Sequence, residues 1–405
     1  MDWLTEERLR LYPGALFVAV VFSFVFTVVT ADGARTVTGT LGGDYAAFHA
    51  VGSLISEGRV AELYDWHVQA EAQRGLHPED PDGFLSFAYP PFVALPYAAL
   101  VQLGFAGGYV VHTLLAGLAL WLGVVAIAPA LPRIGRHRFA LFVALLLFFP
   151  LFRAVPGGQN TAFTLCIVAC TWRLCADGRD LGAGAVAGLL LYKPQFGIPL
   201  LGLLLLRRRP LILVGAGLTA VGLYLAGAAL GGLDWPVWWW EQIGAFHEMD
   251  QDVNAPNSVG VLGFFEAVLG PGEAVAVLPG ALLSVGLVLG LMVLWFTDRV
   301  DDATRWGLTA VGLVLIPPHS MFYDAGIAAL GLAVWADRAR TPWGPLATWG
   351  AGLLTPLSAF FGASPLFPVV VAIGSGVALT RPDSRGPAPQ GPAPRPEGTA
   401  PPAQP

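Results

Sequence analysis

Short polar clusters interrupt a chain that is otherwise strongly apolar, and each holds side chains able to bind a hydroxyl, bind a phosphate or move a proton. Gly42-Gly43-Asp44-Tyr45 places a carboxylate directly after a glycine pair. Phe87-Ala88-Tyr89-Pro90-Pro91 fixes a phenol ahead of two prolines, and Gly157-Gly158-Gln159-Asn160 offers two amides. Leu191-Tyr192-Lys193-Pro194-Gln195 sets an ammonium and an amide about a proline, and Pro318-His319-Ser320-Met321-Phe322-Tyr323-Asp324 joins an imidazole, a phenol and a carboxylate. Asn254, Pro256, Asn257 and Ser258 add a further polar patch.

Each cluster has a structural reading beside a chemical one. Asp44 is a good helix N-cap, since aspartate accepts the free amides of a first turn, or it is a general base. Tyr89-Pro-Pro is a rigid start to a membrane helix, with proline where no amide donor is lost, or it presents the phenol to an outer cavity. Gln159 and Asn160 cap the helix that follows, or hydrogen-bond sugar hydroxyls. Lys193 is the single lysine among 22 basic residues. An ammonium at membrane depth costs about 2.5–3.5 kcal/mol, so Lys193 either snorkels to the headgroups or faces a cavity as a compact charge for a phosphate. His319 and Asp324 bracket a proline-broken turn, which is either a simple connection or an intramembrane site of the kind that broken helices build.

The elements that must position these residues are membrane helices. Of 405 residues, 55% are hydrophobic and 12% charged, against roughly 25% charged in an ordinary soluble domain, and the mean hydropathy is +0.63. So few charges cannot clothe a soluble surface, which excludes a cytosolic enzyme or a secreted disulfide scaffold. A net charge of -6 gives no basic surface for nucleic acid. Cys166, Cys170 and Cys175 fall in one apolar run and read as small membrane-helix residues.

Apolar runs cover about 14–31, 108–130, 138–152, 160–176, 181–192, 196–206, 211–232, 273–296, 304–318, 324–338, 345–361 and 365–380. The first reads as an anchor helix after a cytoplasmic N-terminus of residues 1–13. The links holding Arg133, Arg136 and Arg138, Arg207–Arg209, and Asp337–Arg340 are short and basic, hence cytoplasmic. Residues 32–88 carry nine acidic residues and three arginines, and 233–258 five acidic residues and no Lys or Arg, so both lie outside. Twelve spans then place both termini inside, with Tyr89–Leu103 dipping from the outer face and Gly260–Leu269 too short to cross; the count is 11–13. Ala47, Val51, Leu54 and Ile55 predict an amphipathic surface helix on the outer face, and Val60–Gly75 a second. Trp235, Trp238, Trp239 and Trp240 read as an interfacial belt. Residues 381–405, with nine prolines, read as a disordered polyproline tail.

Taken together, Gly-Gly-Asp44, Tyr89-Pro-Pro, Gly158-Gln159-Asn160, Lys193-Pro194-Gln195 and Pro318-His319 to Tyr323-Asp324 resemble glycosyltransferase family 87, the bacterial polyprenyl-phosphate-mannose-dependent mannosyltransferases. The likeness runs over about residues 14–380 and rests on the order, spacing and membrane side of all five clusters. It implies an all-α polytopic GT-C fold in the bacterial cytoplasmic membrane, with surface helices after the first span and an active site facing the periplasm. It implies Asp44 as catalytic base, and Lys193 with His319 at the donor phosphate. Tyr89, Gln159, Asn160, Gln195, Asn257, Tyr323 and Asp324 are then substrate-binding residues. The implied partners are a lipid-linked sugar donor and a glycolipid or glycan acceptor within the bilayer, with no nucleic acid. No metal or cofactor is implied, and the stretches read as cytoplasmic hold no Asp-X-Asp motif of the kind that serves nucleotide sugars. A secondary transporter and a carrier-binding scaffold without transferase activity are the alternatives. The transporter reading expects midplane charges and paired broken helices in two matching halves, whereas the ionisable residues gather at the outer ends of spans.

Overall fold

The computed structural model describes residues 6–36, 39–74, 76 and 85–380; the predicted tail at 381–405 lies outside them. Among the described residues the chain is helical apart from one ribbon, in which β1 (Arg35–Thr36) pairs antiparallel with β2 (Gly39–Thr40). The first helix, α1 (Glu6–Val29), has Glu6 and Glu7 in its first turn, where the helix dipole favours acid, and buries no residue. Helices α2 (Tyr45–Ser56), α3 (Trp66–Arg74) and α4 (Ala94–Val101) follow before α5 (Gly104–Ile127).

Proline then sets the segmentation. The run at 138–152 is broken because Pro150 has no amide to continue a helix, giving α6 (Arg138–Leu146) and α7 (Phe149–Ala154), with Phe148 extended between them. After α8 (Thr161–Ala176), α9 (Asp180–Gly188) tightens into a 3-10 turn at Leu189–Tyr192. Lys193 precedes Pro194 and is forced out of the helical region, to φ -125° and ψ 81°, before α10 (Pro194–Leu206) begins. The chain continues through α11 (Pro210–Gly231), α12 (Trp235–Asn254), α13 (Val261–Leu269), α14 (Ala274–Phe296) and α15 (Asp302–Leu315). It ends with α16 (Ala329–Arg338), α17 (Trp343–Ala351), α18 (Ser358–Phe361) and α19 (Leu366–Leu379).

Among the described residues, four helical stretches are long and apolar enough to cross a membrane: Glu6–Val29, Gly104–Ala130, Pro210–Gly231 and Ala274–Phe296. Shorter apolar helices fill in around them. Pro91–Val101 and Val261–Leu269 rise only about 16 Å and 14 Å at 1.5 Å per residue, too little to span.

Charge locates one end of this bundle. The Asp337 carboxylate accepts the amides of Arg133 and Ile134 at 2.8 Å, and Arg133 donates to the Ala339 carbonyl. Arg209 pairs with Asp180, Arg207 with Asp298, and Arg338 with Asp301. All the basic links read as cytoplasmic therefore gather at the same end. Following α8, α9, α10 and α16 to their other ends leads to Asn160, Tyr192, Lys193 and Asp324 in turn.

The structure corrects three expectations. Helix α2 does not leave a polar face open: nine of its residues, including both polar and apolar positions, are buried, because it packs against α4 and α5. The second surface helix starts later than Val60, since Val60–Glu62 is a separate 3-10 turn. Asp65 caps the true start by accepting the amides of His67 and Val68 at 2.9 and 3.2 Å. Residues 233–258 are mainly the helix α12, and its tryptophans are not a simple belt. Trp240 is exposed, but Trp235 donates to the Tyr224 carbonyl, Trp239 donates to the Ala88 carbonyl, and Trp238 packs edge-on against Tyr64.

Two apolar cores result. One runs through α5 to α10 and α15, α16 and α19. The other is aromatic, built from Tyr45, Phe48, Phe87, Tyr97, Tyr109 and Trp235. Tyr192 packs against both, so the seam between them lies at the lysine cluster. Gly52 sets the closeness of α2 to α4, because a Cβ there would lie 2.7 Å from the Tyr97 carbonyl carbon. Gly52→Val should therefore destabilise the protein by about 1–3 kcal/mol, seen as a lowered thermal midpoint in detergent, whereas Gly117→Ala, in the helical backbone of α5 and meeting no neighbour, should not.

Candidate active site

The strongest interaction at this seam is an ion pair. Lys193 Nζ lies 2.9 Å from Asp324 Oδ1, and the two residues are 3% and 1% exposed. Lys193 therefore does not snorkel. Asp324 is not a helix cap either: its second oxygen accepts the Met321 amide at 3.2 Å, closing its own loop, while the first reaches across 131 residues of sequence to the lysine. Three rings surround the ammonium, those of Tyr89, Phe196 and Tyr323, at 5.8, 5.5 and 5.6 Å from their centroids.

Asp44 arrives here through interlocked glycines. Its amide donates to the Gly157 carbonyl at 3.1 Å. Gly42, Gly43 and Gly158 take φ of +79°, +49° and +71°, values that disfavour other residues. A Cβ on Gly158 would sit 2.6 Å from the Tyr45 amide nitrogen, and one on Gly43 would sit 3.1 Å from the Gly157 carbonyl. The two Gly-Gly motifs thus fit against each other and bring Asp44 beside Gln159 and Asn160. Asp44 holds the N-cap position of α2, yet its side chain makes no capping hydrogen bond. Burial pushes its carboxyl up to about 6; Lys193 and Arg153 pull it back, and Asp324 opposes them. Lys193 and Asp324 are the buried members of that set, and Arg153 is exposed.

Asn160 links the remaining groups. Tyr97 donates to its side-chain oxygen at 3.1 Å, and Tyr192, which also bonds Thr164, donates to its carbonyl at 3.1 Å. The Asn160 amide nitrogen is buried without a hydrogen-bond partner among the described residues. Like Asp44, Asn160 is a cap by position without a side-chain cap. Gln159 is buried beside it. Tyr89 stacks on Tyr192 at 6.3 Å. Its backbone is fixed by the Tyr64 hydroxyl, which donates to the Tyr89 carbonyl at 2.6 Å. Gln69 and Gln73 of α3 hold the segment before it by accepting the Phe87 and Leu85 amides.

The other predicted residues lie around this core. Tyr323 is half-buried against the lysine, and Gln195 is half-buried in the first turn of α10. Asn257, also half-buried, leads into Ser258 and Val259, whose bridge to Met321 and bond to the Ser320 carbonyl fasten them to the Asp324 loop. His319 sits edge-on to Phe246 of α12 at 5.5 Å; the ion pair of Lys193 is with Asp324. Sequence reasoning missed Arg153, Tyr97 and Tyr192. Arg153 was detectable as an arginine at the end of an outward run, against the usual placement of basic residues inside. Tyr97 and Tyr192 carried no such signal, since aromatics in apolar runs are ordinary.

A family model, that of glycosyltransferase family 87, matches residues 87–318, more than half of the chain. The chain belongs to glycosyltransferase family 87. No curated protein and no solved structure matches it. Family 87 enzymes are integral membrane GT-C transferases, in keeping with the helical bundle. The matched segment holds Tyr89, Gln159, Asn160, Lys193, Gln195 and Asn257. Asp44 and the residues from His319 to Asp324 lie outside it and join the pocket through the contacts above.

Breaking a buried pair strands a charge, which costs about 3–5 kcal/mol. Lys193→Met should therefore lower unfolding stability by that order, and Lys193→Met combined with Asp324→Asn should lose less than Lys193→Met alone. A double-mutant cycle by denaturant unfolding in micelles reads the difference.

Proposed function

We propose that this family 87 transferase moves a hexose, mannose, from a polyprenyl-phosphate carrier to a hydroxyl of a glycolipid or glycan on the periplasmic face of the bacterial cytoplasmic membrane. The observation that carries this reading is an uncapped, half-buried carboxylate in electrostatic contact with a buried lysine. Asp44 takes the proton of the acceptor hydroxyl as general base. The acceptor oxygen bonds the anomeric carbon as the bond from that carbon to the phosphate oxygen breaks, and the electron pair leaves with the phosphate. Lys193 donates to the phosphate as its charge grows, and His319, on the loop of Asp324, is the second donor. Displacement in one step inverts the anomeric centre, so a β-linked carrier sugar gives an α-linked product.

Gln159, the unpartnered Asn160 amide, Gln195, Asn257 and the Tyr89 and Tyr323 phenols supply contacts for sugar hydroxyls. A monophosphate leaving group asks for few cations, which suits a pocket whose buried cation is Lys193. The gathering of the basic links at the opposite end supports a periplasmic pocket through the positive-inside rule.

Sugar transfer in proteoliposomes, with polyprenyl-phosphate mannose or glucose and a panel of glycolipid acceptors, tests the reading. Asp44→Asn should lower turnover by about 10²–10⁴-fold, the usual share of general base catalysis; near-wild-type turnover in the variant removes Asp44 from the role. Net movement of substrate across the bilayer without transfer would support a transporter instead. Because Asp44 is protonated below about 6 and the base form is the active one, the wild-type rate should fall as pH drops through that value. A rate that stays flat down to pH about 4, the ordinary carboxylate range, contradicts the assignment.

A further inference from the structure

No uncancelled positive charge waits beside Lys193. The buried lysine is already paired with Asp324, and the half-buried carboxylate of Asp44 adds a further negative charge. Asp324 spends one of its oxygens on the lysine, cancelling the lysine's charge before any ligand binds. The ammonium keeps donors to spare, for it has three N–H groups and its one hydrogen-bond acceptor among the described residues is Asp324. The pocket can therefore hydrogen-bond a phosphate oxygen while offering no net positive charge to attract one.

We propose that Asp324 is a specificity-determining residue that limits how much phosphate charge the pocket holds. Resting on the lipid-phosphate reading above, this means that a singly charged phosphodiester donor is accepted, while the doubly charged lipid phosphate and any lipid diphosphate are disfavoured. An uncompensated charge in so buried a setting is strongly penalised, and each extra ligand charge meets Asp324 and Asp44 with no added cation. Transfer itself respects the limit. As the bond to the anomeric carbon breaks, the phosphate gains one negative charge, and Asp44 gains the acceptor's proton, so the net charge of the pocket is unchanged. When Asp44 gives that proton to solvent, the pocket holds one negative charge too many, and the product phosphate leaves. Asp324 thereby couples release of the spent carrier to recovery of the base.

The test is direct binding to the full-length protein in nanodiscs, at a pH above the Asp44 titration near 6. The probes are a farnesyl-phosphate mannose diester, farnesyl phosphate and farnesyl diphosphate. Wild type should bind them in that order. Asp324→Asn should tighten farnesyl phosphate and farnesyl diphosphate by about tenfold or more, and the diester by less, because the gain scales with ligand charge. Asp324→Glu, which keeps the charge, should keep the wild-type ranking and so separates the effect from misfolding. If the diester binds and Asp324→Asn leaves the ranking unchanged, or weakens all probes alike, the charge limit is wrong while the transferase reading stands. If wild type binds none of the three, the lipid-phosphate reading falls and the charge limit with it.

Discussion

A lysine and an aspartate held together in an apolar interior organise the rest of this molecule. Neither charge is tolerable there alone, and the contact at 2.9 Å joins the start of α10 to the loop before α16. That loop is in turn bridged to Ser258 at the foot of α12 and α13. Pro194 ends the α9 segment, Pro150 splits the run before α7, and the prolines at 317 and 318 follow α15. Polar backbone freed by such breaks must be satisfied within the protein. The pocket is the place where the bundle's unfinished helix ends meet.

Around that pair the aromatic core does a different task. Helix α2 is buried, so Asp44 is carried at the end of a packed element whose next residue, Tyr45, packs against Tyr97 and His112. Precision of this kind suits a base whose proton affinity is raised by burial and trimmed by neighbouring cations. Trp239 of α12 and Tyr64, ahead of α3, fix the backbone of Ala88 and Tyr89 respectively. The family 87 segment at 87–318 thus depends on the preceding loop both for Asp44 and for the clamp that holds Tyr89.

Much of this was legible from residue types. The membrane class followed from the scarcity of charge, and the common end of the basic links followed from arginine placement. Asp44, Tyr89, Asn160, Lys193 and Asp324 stood out because polar residues beside glycine or proline in an apolar chain demand an explanation. What was not legible depended on tertiary partners. The period that suggested a surface helix at 45–56 is equally compatible with burial when Gly52 allows α4 to approach. The tryptophans of α12 carry no mark that distinguishes lipid contact from docking on Tyr64 and Ala88. A carboxylate at a helix start looks like a cap, and only the geometry shows that neither Asp44 nor Asn160 caps with its side chain.

The most direct measurement is a structure of the protein with a lipid-phosphate sugar bound. The account expects a phosphate oxygen within hydrogen-bond reach of Lys193 Nζ, with Asp44 on the opposite side of the anomeric carbon, positioned to meet an incoming hydroxyl. A phosphate seated among the arginines at the other end of the bundle, or a donor whose anomeric carbon turns away from Asp44, would contradict it.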